Sequence, residues 1–78
     1  MAELTYNVEQ TIGVIGNNGK QSMELRVVSW NGRPGKYDLR SWYKDSEGNE
    51  RCNKGITFTE NELRELYDIL AEIPAFMY

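Results

Sequence analysis

The sequence has no histidine, a single cysteine, two prolines and no long apolar run. Without histidine, and with Cys52 alone, neither an intramolecular disulfide nor a Cys/His zinc site can be built. Cys52 sits in a polar stretch between Arg51 and Asn53, with no histidine to activate it, so it is not a candidate nucleophile. Acid–base chemistry would fall to carboxylates, and these are scattered along solvated segments rather than converging. The glycine-containing run Gly13 to Gly19 lacks the lysine followed by Ser/Thr of a phosphate-binding loop, and it leads into a turn rather than a helix. Catalysis, a metal and a cofactor are therefore not expected. No run approaches the roughly 18 apolar residues of a membrane span, and the opening MAELTYNVEQ is too polar for a signal peptide. A cytoplasmic location, away from membranes, is the default expectation. Seventy-eight residues suit a single domain, and one so small gains much from dimerising.

What is present is unevenly distributed. Residues 1–19 carry Glu3 and Glu9 and no base, a net charge of −2. Residues 20–58 carry eight bases (Lys20, Arg26, Arg33, Lys36, Arg40, Lys44, Arg51, Lys54) against five acids (Glu24, Asp38, Asp45, Glu47, Glu50), a net of +3. Residues 59–78 carry five acids against Arg64, a net of −4. The overall −3 thus hides a basic middle, and a binding footprint follows local potential rather than total charge.

Alternation predicts the strands. Tyr6, Val8, Ile12 and Val14 alternate with polar residues from Thr5 to Gly16, with Gln10 interrupting and Gly13 permitting a bulge. Asn17-Asn18-Gly19 supplies turn chemistry. In the second strand, Gln21 to Trp30, Met23, Leu25 and Val27 read as the core side, and Glu24, Arg26, Val28 and Trp30 as the wet side. After the Gly/Pro loop Asn31 to Gly35, a third strand is expected over Lys36 to Tyr43. Strict alternation places Trp42 with Arg40, whereas one bulge would substitute Tyr43. Lys44 to Asn53 reads as a loop and Lys54 to Phe58 as a fourth strand. Thr59-Glu60-Asn61-Glu62 has the spacing of a capping box. Beyond it, Leu63, Leu66, Tyr67, Leu70 and Ile73 form an apolar stripe widened by Ile69, and Pro74 ends the helix.

The expected fold class is α+β, a four-stranded antiparallel sheet followed by one C-terminal helix. One helix covers only part of one sheet face. The face left open would hold Arg26, Trp30, Lys36 and Arg40 with Trp42 or Tyr43. Aromatic rings beside cations suit single-stranded nucleic acid, since bases stack on rings and cations offset phosphates. The same residue types favour a protein interface, which is the alternative reading. Ile69, Phe76 and Met77 exceed what one short helix needs, which points to a homodimer through the helices.

VSWNGRPGKYDLRSWYKDSEGNE followed by KGITFTENELREL resembles the transcriptional positive cofactor 4 family, a family of single-stranded DNA-binding transcriptional coactivators, and especially its small bacterial YdbC-like members. The resemblance runs from about Ile12 to Leu70. It implies a curved sheet, dimerisation through the helices at Leu63, Leu66, Tyr67, Ile69, Leu70 and Ile73, and single-stranded DNA bound with little sequence preference. It implies stacking at Trp30 and at the Trp42-Tyr43 pair, with phosphates met by Arg40 and Lys54 and also by Arg26 and Lys36. The implied partners are single-stranded DNA, a second copy of the chain and the transcription machinery, with RNA an alternative ligand. The implied role is transcription regulation, replication or repair, at the nucleoid if the cell is bacterial. The Ser- and Lys-rich N-terminal extension of the eukaryotic coactivators is absent, which leaves the DNA-binding core.

Overall fold

The computed structural model describes residues 5–76, with Phe76 by its backbone alone. Met77, Tyr78 and the Phe76 side chain, part of the apolar tail expected to pack, lie outside the described residues. Five strands, β1 (Tyr6–Asn17), β2 (Gln21–Trp30), β3 (Lys36–Lys44), β4 (Glu50–Cys52) and β5 (Ile56–Phe58), precede helix α1 (Glu60–Leu70) and a 3-10 turn (Pro74–Phe76). The first three pair in sequence order, and β4 and β5 pair with opposite ends of β3, all antiparallel. The sheet thus has four columns with the last one broken, followed by one C-terminal helix, the expected α+β architecture.

The turns have local causes. Between β2 and β3, Asn31 and Gly32 both take positive φ (52° and 76°), and the Arg33 amide donates to the Trp30 carbonyl at 3.0 Å. Asn and Gly are the residues that adopt this mirror-image turn at least cost. The expected loop Lys44 to Asn53 is shorter than the composition suggests. Asp45 accepts from the amides of Glu47 and Asn49, both at 2.9 Å, which reverses the chain at once and returns Glu50–Cys52 to β3 as an added strand. The expected fourth strand then starts only at Ile56. Gly55 lies against Arg40 and the Leu39 carbonyl so closely that a Cβ there would collide with both. The column kinks at this close approach.

β1 departs furthest from simple alternation. Its register against β2 shifts between Val8 and Gln10, Thr11 and Gly13, and Val14 and Gly16. Twelve residues, Tyr6 to Asn17, therefore oppose nine, Ser22 to Trp30, and the extra three are Glu9, Ile12 and Ile15. Each bulge bends its strand and raises the local twist. β3 has no such shift against β2, so Trp42 shares a face with Arg40 and Tyr43 lies on the opposite one.

In β2 and β3 alternation assigned the right residues to each face but the wrong face to the core, while the bulges of β1 break its expected face, with Thr11 opposite Arg26 and Ile12 unpaired. The side expected to be wet holds the most buried residues: Val28 and Asp38 at 0 %, Trp42 at 3 % and Arg26 at 8 % exposure. On the side expected to be core, Met23 is exposed and Leu25 and Val27 are only half-buried. Two causes combine. Tyr6, carried in by β1, lies over both tryptophans, with ring centroids 5.4 and 5.5 Å away. The arginines enter with carboxylate partners and lay their stems along the rings, so charge can be buried without being stranded.

Thr59 caps α1 as expected. Its hydroxyl accepts from the Glu62 amide at 3.2 Å, and its own amide donates to the Glu62 carboxylate at 2.8 Å. The helix stops at Leu70, with Ala71 as cap and i→i+3 bonds from Glu72 and Ile73 tightening the exit. Ile73, expected on the helical stripe, lies beyond it, because a residue before proline disfavours helical backbone. α1 packs on β3 and β5 but buries no residue fully. Among the described residues no helix is long and apolar enough to cross a membrane.

Candidate nucleic-acid interface

The buried sheet face is a ladder of rings and guanidiniums. Arg40 lies 4.4 Å over the Trp30 ring and Arg26 lies 4.1 Å over Trp42, with Tyr6 between the two tryptophans. A cation over an indole contributes about 2 kcal/mol when desolvated. Carboxylates fix both arginines. Asp38 takes Arg40 through two hydrogen bonds of 2.6 Å and also accepts the Trp30 indole N–H at 3.2 Å. Glu24 accepts from Arg26 Nε at 2.9 Å, and Glu50 accepts from its two terminal nitrogens at 3.4 and 3.3 Å. The Tyr6 hydroxyl donates to Glu50 at 3.1 Å. Among the described residues, Trp42 Nε1 is the buried side-chain polar atom without a hydrogen-bond partner.

Ionisation follows from these contacts. Burial pulls on both guanidiniums, but the hydrogen bonds that Arg26 donates to Glu50 and Glu24, and Arg40 to Asp38, with the charges of those carboxylates, outweigh it and hold both above the ordinary arginine value. Both stay charged at any working pH. Burial raises the Tyr6 phenol, and the hydrogen bond to Glu50 raises it further.

A groove of about 690 Å³ opens at one end of this face. Arg26 and Trp42 contribute to its lining, along with Ser22, Glu24 and Glu50, and Asn17, Gly19, Lys20, Gln21, Tyr43 and Lys44 complete it. Each salt bridge among the described residues uses an arginine: Arg26, Arg40 or Arg51. Lys20, Lys36, Lys44 and Lys54 are exposed, and among the described residues none of them is in an ion pair. The site therefore combines held cations in its floor with free cations at its rim.

The residues expected from sequence are distributed accordingly. Register brings Arg26, Trp30, Lys36, Arg40 and Trp42 to one face. Trp42 and Arg26 are buried, Trp30 and Arg40 half-buried, and Lys36 exposed. Tyr43 is half-buried on the other face and reaches the groove at its end. Lys54 is exposed between β4 and β5, outside the groove lining. Trp42 is not the open stacking platform that alternation suggests, because it is buried with Tyr6 against it and Arg26 over its ring, whereas Trp30, with Tyr6 and Arg40 as its neighbours, stays half-buried. Sequence reasoning did not single out Lys20, Lys44, Tyr6 or the three acids Glu24, Asp38 and Glu50. Lys44 follows Trp42 by two and was accessible to alternation; the others depend on pairing across strands.

The helix stripe is only partly covered. Leu63 and Leu66 are half-buried, whereas Tyr67 is 72 % and Ile69 61 % exposed, and Leu70 and Ile73 are also exposed.

The profile of the family described as Transcriptional Coactivator p15 (PC4) matches residues 18–69. That span runs from the β1–β2 turn almost to the end of α1, and it contains every groove residue except Asn17. A protein of Treponema pallidum (strain Nichols), described only as uncharacterized, is 41 % identical over 66 residues, covering 83 % of this chain and 74 % of its own length.

Proposed function

The chain belongs to the Transcriptional Coactivator p15 (PC4) family, and on that premise we propose that it binds single-stranded DNA with little sequence preference, as a homodimer, in transcription regulation, replication or repair. The observation that carries this reading is the groove over Arg26 and Trp42, rimmed by the unpaired Lys20 and Lys44. Lysines free of carboxylates exchange counterions for phosphates readily, which supplies affinity without reading sequence. Lys36 and Lys54 extend the same positive track along β3 and the kink after β4.

Trp30 and Tyr43 are the rings with open surface, and bases stack on them at about 1–3 kcal/mol each. Trp42 works at one remove, as the plate on which Arg26 rests. Arg40 and Asp38 hold Trp30 in place from beneath. The dimer is carried by the partly covered stripe of Leu63, Leu66, Tyr67, Ile69 and Leu70, with Ile73 at its end. The protein acts in the cytoplasm, at the nucleoid in a bacterial cell, with the transcription machinery as a further partner.

The test is a titration of oligo-dT of about 20 nucleotides against oligo-rU and a duplex of equal length, at two salt concentrations. The expected result is tight, salt-sensitive binding to the single strand and weak binding to the duplex. Lys20→Ala and Lys44→Ala should each lower the slope of log K against log salt by about 0.7. Equal affinity for rU would make the ligand single-stranded nucleic acid of either sugar. No binding at low salt would refute the reading and turn the face over to a polypeptide.

A further inference from the structure

Arg26 is held by two carboxylates of different character. Glu24 receives Nε and Nη2 at 2.9 and 2.8 Å, and the two side chains are only 10 % and 13 % exposed. Glu50 receives the outer edge at 3.4 and 3.3 Å, long for charge-assisted bonds, which run near 2.7–2.9 Å, and its side chain is 38 % exposed. Glu50 stands on the three-residue β4, and its other side-chain hydrogen bond among the described residues comes from the Tyr6 hydroxyl. It also lines the groove with Lys20 and Lys44. One acid is fixed beneath the guanidinium; the other lies loosely where a ligand would enter.

We propose that the Glu50 carboxylate occupies the place on Arg26 that a nucleic-acid phosphate takes, and that a strand enters the groove by exchanging one anion for the other. This rests on the nucleic-acid reading above. A phosphate offers the guanidinium fork the same two-point acceptor geometry as a carboxylate. Both anions cannot share the outer edge of Arg26, since like charges in a desolvated site repel strongly. Exchange trades one anion for another at Arg26, so the gain must come from phosphates that also reach Lys20 and Lys44. A single phosphate lacks those contacts, while a continuous strand has them. Glu50 thereby sets the threshold that separates a strand from a free nucleotide.

Glu50→Gln should strengthen oligo-dT binding roughly three- to fivefold, the range of a partly exposed ion pair. Glu50→Asp, which keeps the charge but withdraws it by one methylene, should also strengthen binding. Glu47→Gln, which removes the same charge from the nearby exposed turn, should change it less than the Glu50 variants. In an Arg26→Met background the gain from Glu50→Gln should vanish, and thermal melts of each variant would report the fold. Unchanged or weaker binding by Glu50→Gln, beside normal wild-type binding, would overturn this inference and leave the proposed function standing. A gain that persists without Arg26, or equals that of Glu47→Gln, would overturn it too. Binding by Glu50→Gln where the wild type binds nothing would support the threshold. Failure of both proteins to bind would remove this inference together with the function it rests on.

Discussion

The Arg/Trp face of the sheet and the outer stripe of α1 invert each other. On the sheet, Asp38, Arg26 and Arg40 are polar and largely enclosed; on the helix, Tyr67, Ile69 and Leu70 are apolar and open. The sheet face completes itself within one chain. Arg26 and Arg40 each have a carboxylate, and each tryptophan has Tyr6 against it and a guanidinium over its ring. The helix makes no such closure, because within it only Leu63 and Leu66 are even half-buried. A chain of this length buries too little surface to leave a stripe unused. The contrast is between a region finished in the monomer and one that the proposed homodimer would finish.

The largest break in that contrast should come from Asp38→Ala. It removes the fully buried partner of Arg40 and the acceptor of the Trp30 indole, and a broken buried pair costs about 3–5 kcal/mol. Urea unfolding would register the loss, and an unchanged midpoint would mean that water replaces the pair. Next in size, Tyr67→Ser and Ile69→Ser should each weaken self-association by about 1.5–3 kcal/mol of lost apolar burial. Sedimentation equilibrium of the double variant should show a monomer that retains the sheet signal. A double variant as dimeric as the wild type would place the interface elsewhere. The smallest effect belongs to the helix cap. Hydrogen bonds from the Thr59 amide and hydroxyl hold the Glu62 carboxyl below its ordinary pKa. A lowered folded-state pKa stabilises above the unfolded value, near pH 4, and the contribution disappears as pH falls through the folded one. Helical ellipticity of the wild type should therefore exceed that of Glu62→Gln at neutral pH, and the two should converge in acid.

Arg40 illustrates how reading a residue changes once its neighbours are known. From sequence it is a phosphate contact on an open face. In the folded chain it neutralises Asp38, so Arg40→Ala strands a buried carboxylate, and loss of binding in that variant would report unfolding as readily as a lost contact. Lys20 and Lys44, which hold nothing, are the cleaner probes.

Much of the chain was legible in its residues. The alternation of β2 and β3, the Asn31-Gly32 turn and the Thr59–Glu62 capping box are local, and each follows from geometry within a few residues. So does the parity that puts Arg26, Arg40 and Trp42 together, because side chains alternate wherever no bulge intervenes. Which face is closed was not legible, because closure depends on β1. Its three bulges bring Tyr6 over residues that follow it by 24 and 36 positions, and no local pattern encodes that approach. Nor does alternation distinguish an arginine facing water from one laid along a tryptophan with a carboxylate at each edge. Sequence alone thus determined the first three strands, the helix, their order and which residues of β2 share a side, but not β4 or the bulges of β1. The tertiary structure decided which side is enclosed, which cations remain free and where an acid stands before Arg26, because burial and ion pairing are set by segments that meet only on folding.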